Sequence, residues 1–225
     1  MNDTVSLTID GQPVEVPTGA TIWDAARAIG IDIPVLCHST RMRPVGVCRV
    51  CVVETGARNL QAACVRPCEQ GMEVRTDTDK VERNRRMLLE LLLGDYPEPS
   101  AREVTTGDDA LLALARDYAL ETSRFHRAGG ATEGRRDTSS PVIVVDHQAC
   151  ILCDRCIRGC DELQHNHVMT RSGKGATTHI AFDLDVPMGE STCVACGECQ
   201  AVCPTGALTN RSLQGLRVVV EEERP

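Results

Sequence analysis

The stretch CILCDRCIRGC, residues 150–160, places cysteines at 150, 153, 156 and 160, and CVACGECQAVCP, residues 193–204, places them at 193, 196, 199 and 203. Three thiols at successive intervals of three sit on one tight loop and can wrap one face of a cubane, while a fourth, four residues on, projects away on the following helix. In the two-cluster bacterial pattern that fourth thiol serves the other cluster, and the Cys203-Pro204 ending matches the close of that pattern. The spacing assigns Cys150, Cys153, Cys156 and Cys203 to one [4Fe-4S] centre and Cys160, Cys193, Cys196 and Cys199 to a second. Structural zinc also takes four thiolates, but its ligands usually come as two separated pairs and not as runs of three.

A looser group lies upstream: Cys37, Cys48, Cys51, and then Cys64 and Cys68. A loop cysteine, a C-x-x-C and a distant fourth thiol suit a [2Fe-2S] site, although the first gap is wider than in the plant-type arrangement. Gly46 beside Cys48 allows the backbone to bend closely around inorganic sulfide. The spacing leaves either Cys64 or Cys68 as the fourth ligand.

The elements that must carry these thiols can be read from pattern. VSLTI and PVEVP flank an Asp-Gly pair, which predicts a β-hairpin. TIWDAARAIG has Thr21 as N-cap, Asp24 in the first turn and Gly30 as a stop, which predicts a short helix. CRVCVVE and MEVRT supply further strand-forming segments. Residues 1–78 thus read as one β-rich unit. From 79 to 127 the pattern turns helical: DTDKVERNRRMLLELLLG closes on Gly94, and Leu111, Leu114, Ala115 and Tyr118 predict a second helix over about 108–126. Residues 128–141, rich in Gly, Ser and charge, read as a linker. Residues 142–210 hold both cysteine runs, and 211–225 form a tail whose LRVVVEEE could add an edge strand.

Composition narrows the function. Thirteen cysteines, an odd number bunched at C-x-x-C spacing, favour metal over a disulfide framework. Five aromatic residues are few for a conventional core, so something besides side-chain packing should organise the fold. A net charge of -8 argues against a nucleic-acid footprint. The densest apolar run, MLLELLL, is far short of the ~20 residues of a membrane span, and MNDTVSLTIDGQ shows no secretory leader. These features are those expected of a soluble cytoplasmic protein. The six histidines are scattered and offer no paired Rieske ligands, SGKGA lacks the order of a phosphate loop, and HNH at 165–167 reads as a polar hairpin tip.

With these motifs in view, IPVLCHSTRMRPVGVCRVCVVETGARNLQAACVRPCEQGMEVRT resembles the N-terminal [2Fe-2S] module shared by several iron-sulfur subunits. These are the large iron-sulfur subunit of respiratory NADH dehydrogenase, the small diaphorase subunit of NAD-reducing [NiFe] hydrogenases, the N-terminal region of NAD-dependent formate dehydrogenase and the accessory region of [FeFe] hydrogenases. CILCDRCIRGCDELQ and MGESTCVACGECQAVCPTGAL are similar to the cluster-binding part that follows in those proteins. The resemblance covers residues 4–210. It implies an α+β chain with an N-terminal β-grasp [2Fe-2S] ferredoxin-like domain, a short helical segment and a C-terminal bacterial-type 2[4Fe-4S] ferredoxin domain. It also implies Cys64 as the fourth [2Fe-2S] ligand, leaving Cys68 as a small buried hydrophobe.

One departure stands out. The resembling proteins usually carry a further [4Fe-4S] site with one His and three Cys ligands between the two modules. Tyr96, Ser100, Glu103 and Asp109 stand at those spacings here, and no cysteine occurs from 69 to 149. Without thiolates that centre cannot form, and the quartet reads as helix-capping or solvated. No dinucleotide fingerprint, flavin motif or catalytic triad is present. The resemblance implies an electron-transfer subunit that links a flavin/NAD(P)-binding diaphorase subunit to a catalytic subunit. A [NiFe] hydrogenase is the first choice and a molybdenum or tungsten formate dehydrogenase the second. A free-standing ferredoxin-like carrier is the alternative from another class.

Overall fold

The structure, a computed structural model, describes residues 4–125 and 135–215. His126, residues 128–134 of the linker and the LRVVVEEE segment lie outside the described residues. The chain divides into two compact units, residues 1–91 and 92–225.

In the first unit, strands β1 (Thr4–Ile9) and β2 (Gln12–Pro17) pair antiparallel from Thr4↔Pro17 to Ile9↔Gln12. The two turn residues, Asp10 and Gly11, both adopt positive φ, as a tight right-twisted hairpin requires. Alternation sends Leu7, Ile9, Val14 and Val16 to the inner face, where all four are buried. Each such side chain contributes on the order of 1.5–3 kcal/mol of hydrophobic stabilisation. Asp10 also closes the sheet, because its carboxylate accepts from Thr76 N at 2.7 Å and Thr76 Oγ1 at 2.5 Å.

Helix α1 (Ile22–Ala28) begins at Thr21 with a capping box to Asp24 and is followed by left-handed Gly30, as the residue types predict. The short strands β3 (Val52–Val53) and β4 (Gln61–Ala62) pair next, and β5 (Glu73–Val74) runs parallel to β1, giving the order β2-β1-β5. Helix α2 (Asp79–Leu93) buries Val81, Arg85 and Leu89, and Arg85 Nη2 donates to Val52 O at 2.9 Å.

The second unit opens on two short helices, α3 (Ala101–Thr105) and α4 (Ala110–Asp117). The helix expected over 108–126 is therefore shorter than its periodicity suggests. Ala119 at φ 49° takes the left-handed conformation, and Leu120 N bonds back to Ala115 O at 2.9 Å, a Schellman-type close that ends α4. Strands β6 (Arg136–Asp137) and β7 (Ile143–Asp146) follow, then helix α5 (Arg155–Arg158), which runs into a wider π-helical turn at Gly159–Leu163. Arg136–Asp137 lies inside the stretch that composition reads as a linker.

Strands β8 (Met169–Ser172) and β9 (His179–Phe182) form a hairpin, helix α6 (Glu198–Ala201) follows, and β10 (Leu208–Asn210) completes a sheet of order β10-β7-β6. The residues of SGKGA begin the β8–β9 turn. HNH is not a hairpin tip, since His165 and His167 take left-handed conformations in the loop that leads into β8.

Candidate metal centres

The antiparallel pair β7 and β10 positions both cysteine runs, because β7 ends just before the first and β10 begins just after the second. Each run then folds the same way. Leu152 and Asp154 have positive φ in the first loop, and Ala195 and Gly197 have positive φ at the equivalent places in the second. A left-handed residue other than glycine costs roughly 1–2 kcal/mol, so the repeated conformation needs a brace. Arg171 of β8 supplies one for the first loop: its guanidinium donates to both carboxylate oxygens of Asp154, at 2.7 and 2.8 Å, and to Leu152 O at 2.6 Å. Helices α5 and α6 then approach closely. A methyl group on Gly159 would meet Val202 Cγ2 at 3.0 Å, so that position has little room for a side chain.

Two pockets result. One is lined by Cys150, Cys153, Cys156 and Cys203 together with apolar Val145, Ile180 and Leu208. The other is lined by Cys160, Cys193, Cys196 and Cys199 with Ile143, Val168 and Met169. The fourth cysteine of each run thus stands with the first three of the other. Burial pushes the Cys150 and Cys199 thiols up to about 12, and burial with the charges of neighbouring sulfurs raises Cys156 further. A dry pocket crowded with thiols favours deprotonation only when a cation enters with the charge. Among the described residues no group of three or more His, Cys, Asp or Glu is set to hold a single metal ion.

In the first unit Cys51 precedes β3 and Cys64 follows β4, so pairing of the two strands brings their sulfurs to 3.4 Å. Cys37 joins them on its loop: its backbone N–H points at Cys48 Sγ at 3.4 Å, and the thiols of Cys48 and Cys64 hydrogen-bond its sulfur. Those bonds hold Cys37 far below the ordinary thiol range, and Cys64 likewise lowers Cys51. The shared protons push Cys48 and Cys64 up in turn. Four sulfurs brought together in this way suit thiolate ligation of iron. Cys68 stands apart: it is buried in the apolar core, and burial followed by the charge of Asp24, not the other sulfurs, raises its thiol.

The quartet at the spacings of the absent centre divides. Tyr96 Oη and Ser100 Oγ both donate to Asp109 Oδ2, the second at 2.5 Å. Ser100 caps α3 by accepting from Glu103 N, and Asp109 caps α4 by accepting from Leu111 N and Leu112 N at 3.1 Å each. Glu103 turns instead to Arg116, at 2.8 Å. Ser100 and Asp109 are completely buried, so capping is their role and solvation is not.

Three residues near the cysteines escape any spacing rule: Arg171, Asn166 and Arg102. Asn166 lines the second pocket, where its N–H reaches Cys160 O at 3.0 Å and its side-chain amide faces Cys196 Sγ at 4.0 Å. An N–H dipole aimed at a ligand sulfur stabilises the more negative, reduced state. Asn166→Ala is therefore expected to lower the midpoint potential of an iron-sulfur centre bound through Cys196, in a redox titration followed by electron paramagnetic resonance.

Residues 2–79 match the family model of the 2Fe-2S iron-sulfur cluster binding domain, and residues 132–207 match that of the 4Fe-4S dicluster domain. The chain is 37% identical over 211 residues to the NADP-reducing hydrogenase subunit HndD of Solidesulfovibrio fructosivorans, covering 91% of this chain and 36% of that protein. It is 35% identical over 206 residues to an NADH-quinone oxidoreductase subunit of Rhizobium meliloti (strain 1021), covering 91% of this chain and 24% of that one. It spans about a third or less of the length of these two relatives. Among solved structures, a chain of an NAD+-reducing [NiFe]-hydrogenase in the H2-reduced state superposes with a TM-score of 0.82 at 29% identity, covering 92% of this chain and 88% of that one.

Proposed function

Because the chain is an iron-sulfur protein in which a 2Fe-2S cluster binding domain precedes a 4Fe-4S dicluster domain, we propose that it relays single electrons through three centres inside a multisubunit NAD(P)-linked oxidoreductase. Cys37, Cys48, Cys51 and Cys64 would hold a [2Fe-2S] cluster, Cys150, Cys153, Cys156 and Cys203 one [4Fe-4S] cluster, and Cys160, Cys193, Cys196 and Cys199 a second. These groups supply one-electron redox chemistry when bound. The polypeptide's part is to orient the thiolates, exclude water and set the local charge.

The observation that carries this reading is the pair of pockets, each lined by four cysteines with the fourth exchanged between runs. Two features support a relay within a complex. Each group of cysteines lies within one compact unit, and the likeness to the hydrogenase chain extends over 88% of that chain. A flavin/NAD(P)-binding diaphorase subunit on one side and a [NiFe] hydrogenase catalytic subunit on the other are the partners this likeness favours. Around Cys48, the exposed Val45, Val47 and Val65 lie among exposed Arg41, Arg43 and Arg49, a rim suited to an acidic face of a redox partner.

Anaerobically prepared protein is expected to carry about ten irons per chain and to show one [2Fe-2S] and two [4Fe-4S] signals on reduction. About fourteen irons would restore the fourth centre and overturn the reading, and protein holding only zinc would end it. In the native complex, nickel with flavin is the expected companion set. Molybdenum or tungsten in place of nickel would move the partner assignment to a formate dehydrogenase.

A further inference from the structure

The segment that carries Tyr96, Ser100 and Asp109 also reaches the loop that closes the pocket of Cys150, Cys153, Cys156 and Cys203. Tyr96 Oη accepts from Gly206 N at 2.9 Å, and Gly206 lies so close to Ser100 that a methyl group there would meet Ser100 Cβ at 2.9 Å and Ala101 N at 3.2 Å. Ala110 N donates to Pro204 O at 2.8 Å. The Tyr96, Ser100 and Asp109 knot thus seats the loop Cys203–Gly206 against the starts of α3 and α4. Arg102, inside the same segment, goes further. Its Nη1 donates to Cys203 O at 2.8 Å and to Gln200 O at 3.3 Å, while Nε and Nη2 form a two-point pair with Asp108 at 2.8 and 2.7 Å. The Arg102 side chain is 13% exposed and that of Asp108 is 56% exposed. Water therefore screens the carboxylate more than the guanidinium, and the positive end of the pair faces the cysteine.

We propose that Arg102 is a positioning residue that raises the reduction potential of the centre bound by Cys150, Cys153, Cys156 and Cys203, and that the Tyr96, Ser100 and Asp109 knot is its fixed mount. The proposal rests on the cluster assignment given above. A reduced cluster carries one more negative charge than the oxidised one, so a guanidinium held one peptide unit from a ligand sulfur favours the reduced form. Permanent charge distinguishes this from the helix-closing role that any donor to Gln200 O and Cys203 O could fill. The residues left at an absent metal site would then act on the neighbouring centre through charge and hydrogen bonds.

The test is a redox titration of the full chain, with each centre followed by its own electron paramagnetic resonance signal, for wild type, Arg102→Gln and Arg102→Lys. The expected result is a negative shift of the Cys203 centre alone in Arg102→Gln and a return toward the wild-type potential in Arg102→Lys. Retention of that centre in Arg102→Lys with its loss in Arg102→Gln would mark Arg102 as needed for assembly of the site and would overturn the assignment. An unmoved potential in Arg102→Gln, an equal shift of all three centres, or an equal effect of both variants would overturn it. Absence of tetranuclear signals from the wild type is a separate outcome, because it removes the cluster assignment itself.

Discussion

Cys203→Ser is expected to cost the chain one tetranuclear centre and leave the other, with iron falling from about ten to about six per chain. The lost signal should be that of the centre built on Cys150, Cys153 and Cys156, although Cys203 belongs to the second run. Cys203 lines the pocket of those three residues and not the pocket of Cys193, Cys196 and Cys199. A serine hydroxyl is a hard donor and a poor replacement for thiolate on iron. Loss confined to the centre at Cys193, Cys196 and Cys199 would show that each run serves its own cluster. Some destabilisation of the surviving centre is expected, because Val202 packs against Gly159 beside Cys160. Thermal unfolding followed on the remaining signal measures it.

The second large effect separates two cysteines four residues apart. Cys64→Ser is expected to abolish the [2Fe-2S] signal and release about two irons, whereas Cys68→Ala should keep all three centres and lower stability by about 1 kcal/mol, as a modest core truncation does. Cys64 Sγ lies 3.4 Å from Cys51 Sγ and hydrogen-bonds Cys37. Cys68 sits in the core, with its N–H donating to Ala20 O at 2.8 Å. Iron analysis with visible absorption of both variants decides the matter, and loss of the [2Fe-2S] spectrum in Cys68→Ala would transfer the ligand role.

Some of this architecture is written in short-range pattern. The Asp10-Gly11 turn, the Thr21 cap and the start of α2 are where residue types place them, because each depends on backbone preferences within a few residues. The end of α4 was not legible in that way. The apolar period continues through Tyr118, but a single left-handed residue at Ala119 closes the helix. The HNH stretch was misleading for a similar reason. Its polarity suggests a tip, yet Asn166 is turned toward Cys160 and Cys196 through contacts made 6 and 30 residues away.

The same division holds at the metal sites. Sequence alone determined which thiols share a loop, since an interval of three residues permits little else, and it places no cysteine from 69 to 149. Only the tertiary structure decided what Tyr96, Ser100 and Asp109 do in that stretch and what surrounds the thiols. Arg171 reaches Asp154, and Arg102 reaches Cys203, across 17 and 101 residues. Chain connectivity over such distances imposes almost no geometry. The pairing of β7 with β10 and the burial of Ser100 and Asp109 supply it, by bringing a guanidinium and a buried carboxylate to places that no spacing encodes.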